Sequence, residues 1–325
     1  MRASTRWLTA GVLVAGALFG LRDRWLWALP FVDLGPPPGK MVDVGGFRMH
    51  LVCEGEGSPA VILDAGAADP WTTWFRVQPE IARVTRVCSY DRAGIGYSDP
   101  GPLPRSRRRT VEELRTLLAR AGVPPPYVLV GHSFGGLNVR LYASLHPEDV
   151  AGLVLEESAH EDHWKKAPRE FWDRHLKQME EERQTVERAR RGEPMPPIVH
   201  APEGLSLRIR RQLAAVSRRP AWYIASYQES LIAQEGARAF AGLPRRFDVP
   251  LVVLSAGSRQ RPESRPPELH ERWVRIAREL QEDLASHSAR SRHLVVEGAG
   301  HYIHWDRPNV VVEAALDLVR LIRNS

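Results

Sequence analysis

From residue 41 onward the chain alternates short apolar, β-branched runs with longer stretches whose apolar positions recur every three to four residues. The first pattern predicts strands and the second amphipathic helices. Residues 41–44 and 48–53 flank Gly45-Gly46, a pair suited to a hairpin turn. Residues 60–64, 84–90, 127–130, 150–155, 250–254 and 293–296 read as further strands, several apolar enough to be buried on both faces. Thr110-Val111-Glu112-Glu113 has capping-box spacing and predicts the start of a helix with Val111, Leu114, Leu117 and Leu118 on its apolar side. Another helix is expected after Gly135-Gly136, running to about His146, and Pro308 suits the first turn of a last helix through Leu321. Such alternation predicts an α/β protein with a mostly parallel sheet covered by helices.

One stretch breaks the alternation. Residues 159–245 hold no convincing strand and are rich in Arg, Glu and Gln, with Trp164, Phe171, Trp172, Trp222, Tyr223 and Tyr227 spaced along them. We expect a helical insertion of roughly 85 residues between two core strands, interrupted by the Pro-rich segment 193–197.

The N-terminus is a different kind of sequence. Residues 7–21 are uncharged and mostly apolar, with Arg2 and Arg6 before them and Arg22-Asp23-Arg24 after, and residues 25–32 form a second apolar run. Fifteen helical residues reach about 22 Å, short of a hydrocarbon core of about 30 Å. The run suits a signal peptide with Ala15-Gly16-Ala17 as a cleavage site, or an uncleaved anchor that contacts the membrane through residues 7–29. Either reading places the folded domain in the membrane-anchored or exported class. Gly35-Pro36-Pro37-Pro38-Gly39 reads as a stiff linker, so folding should begin near Met41.

This division changes the meaning of the charge. The whole chain is +6, and residues 1–40 carry +3 of that. The remaining basic residues, nearly all arginine, are scattered among acids rather than gathered into a stripe, which argues against nucleic acid as a partner. No Cys/His spacing resembles a metal site, and no cofactor motif is present.

The candidate chemistry lies in Gly131-His132-Ser133-Phe134-Gly135-Gly136. A β-branched run precedes it and a helix follows, the context that a nucleophile elbow requires. Glycines on either side of the serine leave room for a sharp, strained turn that lifts the hydroxyl above the sheet. A serine hydroxyl needs a base, and neutral imidazole suits that task near pH 7. His301 follows the last strand, in Gly298-Ala299-Gly300-His301-Tyr302-Ile303-His304, and can reach the same sheet edge. His304 is the rival, expected at the surface or in a supporting position. Oxyanion donors are expected from the amides of Phe134 and of Ala67, the latter in the small-residue loop Asp64-Ala65-Gly66-Ala67-Ala68.

The stretches VILDAG at 61–66, YDRAGIGYSD at 90–99, GHSFGG at 131–136, VAGLVLEES at 150–158 and GAGHYIHWDRP at 298–308 resemble the α/β-hydrolase superfamily, in the esterase, peptidase and haloperoxidase-like group with a helical cap. The resemblance spans residues 41–325. It implies an eight-stranded, mostly parallel sheet with the second strand antiparallel, a core of 41–158 and 246–325, a cap of 159–245, a Ser–His–acid triad and no cofactor. Serine at the elbow, where a dehalogenase of this fold would carry aspartate, argues against that chemistry.

The acid departs from the commonest pattern. The loop after strand 250–254 reads Ser255-Ala256-Gly257-Ser258-Arg259-Gln260-Arg261, with no carboxylate before Glu263. Some members of the fold place the acid one strand earlier, which matches Glu157 here. Glu157 is therefore taken ahead of Glu263, with Glu156 third; the two adjacent acids should point in opposite directions. Asp91 and Arg92 are read as structural, an ion pair or a loop brace. Trp71 and Trp74 either wall the acyl pocket or pack the next helix. The family topology sets Cys53 and Cys88 on neighbouring strands; two buried free thiols are expected ahead of a disulfide, because register decides. These residues imply a serine hydrolase acting on an ester of a small, apolar substrate. An aminopeptidase or amidase, with Glu161 or Asp162 holding the substrate amine, and a non-catalytic binding protein on the same fold are the alternatives.

Overall fold

The computed structural model describes residues 36–198, 204–262 and 265–325. The candidate membrane-contacting segment at residues 7–29 and Glu263 lie outside the described residues. Among the described residues, no helix is long and apolar enough to cross a membrane.

Eight strands form one sheet: β1 (Lys40–Asp43), β2 (Arg48–Glu54), β3 (Ala60–Asp64), β4 (Val87–Tyr90), β5 (Tyr127–His132), β6 (Val150–Glu156), β7 (Leu251–Ala256) and β8 (Ser291–Val296). Their spatial order is β1-β2-β4-β3-β5-β6-β7-β8. β2 runs antiparallel to both neighbours, and every other pair is parallel. Numbering only the helices of ten residues or more, α1 (Arg107–Arg120), α2 (Phe134–Leu145), α6 (Pro267–Ala285) and α7 (Pro308–Arg323) pack with the sheet, and α3 (Arg169–Arg190), α4 (Leu207–Val216) and α5 (Pro220–Ala233) fall between β6 and β7.

The alternation along each strand explains the layers. Ile62 and Leu129 face one side and pack with Leu114, Leu117 and Leu118 of α1. Val61, Leu63, Val128 and Val130 face the other and pack with Val311, Ala315 and Val319 of α7. A sheet covered on both faces needs continuous apolar strands.

Three expectations change. The strand at 84–90 begins only at Val87, because Val84 and Thr85 close a backbone turn onto Ile81 and Val84 is exposed. The helix expected at Thr110 begins a turn earlier, where the Ser106 side chain accepts from the Arg109 amide, so Thr110 is internal. Cys53 and Cys88 are register partners on antiparallel β2 and β4 and form a disulfide, not free thiols.

Candidate active site

The site is assembled at the C-terminal ends of the central strands, where a parallel sheet gathers its loops. β5 ends at His132, and Ser133 caps α2 with φ 50° and ψ −114°. For a residue with a side chain that backbone costs about 1–3 kcal/mol and must be held by its surroundings. The glycines explain how. A Cβ on Gly131 would meet the Gly136 Cα at 2.6 Å, and one on Gly135 would overlap the carbonyl of Asp64. The Ser133 amide donates to the Glu156 carbonyl at 3.0 Å, tying the turn to β6.

Ser133, Glu157 and His301 front one cavity of about 710 Å³, a size suited to a small organic molecule. Glu157 follows β6 with φ 42°. Its Oε2 lies 3.5 Å from His301 Nδ1; its side chain is 2% exposed, against 48% for the histidine. Its Oε1 accepts from the Ala256 amide and from Arg259, each at 2.7 Å. Burial pushes the Glu157 pKa up, but the His301 contact, the Arg259 charge and the Ala256 amide outweigh it and hold the group below its ordinary value. The structure thus brings together Ser133, His301 and Glu157. No hydrogen bond closes between Ser133 and His301 here, and such bonds often tighten only with substrate present.

The Phe134 amide opens α2 with no carbonyl a turn earlier within the helix. Ala67 is exposed in the loop after β3, and its amide makes no hydrogen bond among the described residues. That loop is braced from below and above. Arg92 donates to Asp64 Oδ1 at 2.8 Å, to the Ala65 carbonyl at 2.9 Å and to the Gly66 carbonyl at 2.6 Å. Glu229 of α5 pairs with Arg92 at 2.5 Å and accepts from the Ala68 amide at 2.7 Å. Asp91 does not pair with Arg92; it accepts from the Trp71 and Tyr97 amides and contacts His50 Nδ1 at 2.8 Å.

Other expectations are decided by the fold. Of its two expected positions His304 takes the supporting one: it is fully buried, with Nδ1 2.6 Å from Glu156 Oε1 and Nε2 2.9 Å from Thr73 Oγ1. Glu156 therefore serves a second histidine, not His301. Trp74 is buried beside Val77 and Ile81, Trp71 lies against His50, and neither lines the cavity. Its aromatic lining is Trp273, Tyr302 and Trp305. Glu161 and Asp162 do not line it either. Glu161 is sealed against Arg140 at 2.7 Å, which counters burial and takes its pKa down to about 2.

His132, which sequence reasoning passed over, links the parts. Its Nε2–H donates to the His301 carbonyl at 2.9 Å, and its ring contacts those of His301, Tyr302 and His304. Burial first, then His304 and His301, drive its pKa well down, so it stays neutral. A signal for the second pair was present: Glu156-Glu157 and His301-x-x-His304 are two acids facing two histidines.

The alpha/beta hydrolase fold family matches residues 59–246. The chain belongs to that family. Among curated relatives, the 2-hydroxymuconate semialdehyde hydrolase of Pseudomonas sp. (strain CF600) is 33% identical over 127 residues, covering 38% of this chain and 44% of that protein. The uncharacterized protein YqjL of Bacillus subtilis (strain 168) is 34% identical over 106 residues, covering 33% and 42%. The aligned region spans under half the length of these two relatives. Among solved structures, the esterase EaEST from Exiguobacterium antarcticum superposes with a TM-score of 0.63 at 19% identity, covering 87% of this chain and all of that one. At that identity the likeness speaks for the fold alone. The fold supports hydrolase activity.

Proposed function

We propose that this α/β hydrolase is a serine hydrolase that cleaves an ester-type acyl bond of a small substrate through Ser133, His301 and Glu157. The observation that carries the reading is the meeting of these three side chains, from three separate strand ends, at one cavity.

The steps follow from the positions. Ser133 Oγ attacks the acyl carbonyl carbon while His301 takes the hydroxyl proton. The carbonyl electrons move onto oxygen, and the Phe134 and Ala67 amides hold that oxyanion. Glu157 keeps the imidazole oriented and stabilises its protonated form. Collapse breaks the bond to the leaving oxygen, which receives the proton from His301. Water, deprotonated in turn by His301, attacks the acyl-enzyme; the acid departs and the proton returns to Ser133. Trp273, Tyr302 and Trp305 give the cavity apolar surface for the substrate body.

The test is turnover of a short 4-nitrophenyl ester by wild type, Glu157→Gln and Glu263→Gln. Loss confined to the Glu157 variant is expected; loss confined to Glu263→Gln would reassign the acid. We infer further that the domain works outside the cytoplasm. Support comes from the Cys53–Cys88 disulfide, which reducing compartments disfavour, and from the apolar runs at residues 7–21 and 25–32. Recovery of active enzyme with two free thiols from the cytosol of its own cells would contradict this.

A further inference from the structure

The cavity holds a cation that the hydrolytic steps do not use. Arg265, just before α6, lines it with Arg259 and His270. Its Nε is buried and has no hydrogen-bond partner. Among the described residues its guanidinium makes one polar contact, from NH1 to His270 Nδ1 at 3.4 Å. Among the described residues no carboxylate pairs with it. The ring of Phe171 covers it at 4.7 Å. Burial, and after it the charge of Arg174, disfavour its protonated form, yet arginine does not give up its proton in proteins.

Two buried arginines are neutralised from within, whereas buried Arg107 has the Asn138 amide oxygen in place of a carboxylate. Arg92 holds Asp64 and Glu229, and Arg140 holds Glu161. In the cavity itself, Arg259 is taken by Glu157. The remaining acid on the cavity wall, Asp306, accepts from the Gly300 amide at 2.8 Å. His163, also on the wall, is pushed down to about 4 by burial and by His175 and His160, so it carries no charge near neutrality. A partly desolvated guanidinium with an open N–H and no counter-ion among the described residues is costly, and a carboxylate is the partner its planar donor fork fits best.

We propose that Arg265 binds the carboxylate of the substrate, so that the preferred substrate is an anionic ester carrying a carboxylate away from the scissile bond. This rests on the serine-hydrolase reading and narrows it: the substrate is apolar where it meets Trp273, Tyr302 and Trp305, and anionic where it meets Arg265.

Matched ester pairs test it. One pair is mono-4-nitrophenyl suberate and its methyl-capped diester, with the charge on the acyl side. The other is the hexanoate ester of 4-hydroxybenzoate and of its methyl ester, with the charge on the leaving group. For wild type, kcat/KM for the anionic member of at least one pair should exceed that of its capped partner by about tenfold or more. Arg265→Gln should bring that ratio to about one, and Arg265→Lys should leave it in between. A wild-type ratio at or below one in both pairs overturns the proposal, as does an unchanged ratio in Arg265→Gln. Fluorophosphonate labelling of Ser133 reports in each variant whether the site is assembled. If wild type neither turns over any of the four esters nor takes the label, the hydrolase reading itself fails, and the substrate proposal with it.

Discussion

Two glutamate–histidine pairs stand side by side in this molecule, built from adjacent acids and from histidines three residues apart. Glu156 and His304 are both fully buried and 2.6 Å apart, and Glu156 also accepts from the His304 amide at 2.8 Å. Glu157 and His301 are 3.5 Å apart, and the histidine is half exposed toward the cavity. The tighter pair is the one that does not face Ser133. Proximity therefore does not select the pair proposed for catalysis; His301, unlike His304, lines the cavity with Ser133. The sealed pair ties the loop after β8 to β6 through Glu156 and to the segment after β3 through Thr73, and the open pair is the one proposed to carry a proton.

Breaking the comparison at its catalytic end gives the largest effect. Ser133→Ala or His301→Ala should lower kcat for a 4-nitrophenyl ester by about 10⁴-fold or more, with melting temperatures near wild type. Glu157→Gln should cost about 10²–10⁴-fold in kcat, since the imidazole loses its orienting charge. Equal activity in Glu157→Gln and wild type would remove Glu157 from the site.

At the sealed end the effect should move from rate to stability. Glu156→Ala strands a buried imidazole and should cost about 3–5 kcal/mol in urea unfolding, while turnover per folded molecule falls far less. A variant as stable as wild type but inactive would reverse the two assignments. Arg140→Gln, which leaves Glu161 with only the longer contact to Arg245 at 3.5 Å and a histidine, should cost about 1–3 kcal/mol at neutral pH. The pH dependence has a definite sign. The folded pKa of Glu161 is depressed, from 4.5 to about 2. Its pairing therefore stabilises fully above about 4.5 and is lost as pH falls toward 2. The gap between wild type and Arg140→Gln should narrow from pH 6 to pH 3; a constant gap would contradict the pairing.

A smaller effect is expected far from the site. Reducing the Cys53–Cys88 bond, which spans 35 residues, should cost about 2–4 kcal/mol and leave kcat of the folded enzyme intact.

Much of this was legible in the sequence, for stated reasons. Strands buried on both faces advertise themselves as apolar runs, so the eight strands could be placed from pattern, with three of the four long helices that pack on them but not α6, and Ser133 and His301 were picked out by glycine spacing and chain order. Strand ends were harder. Val84 is apolar but sits exposed in a turn closed by backbone hydrogen bonds onto Ile81, which its residue type does not announce. Alternation separated Glu156 from Glu157 but not which one met which histidine. That depends on the turn at Glu157, whose φ of 42° no pattern of residue types announces. Arg259 and Arg265 looked like scattered surface charge; only the fold brings them to the cavity wall.

The most direct test is mass spectrometry of the full chain after treatment with a fluorophosphonate, followed by peptide mapping. The account predicts one covalent adduct per molecule, on Ser133, which disappears in Ser133→Ala and falls sharply in rate in His301→Ala. No adduct on wild type, or an adduct retained in Ser133→Ala, would contradict it.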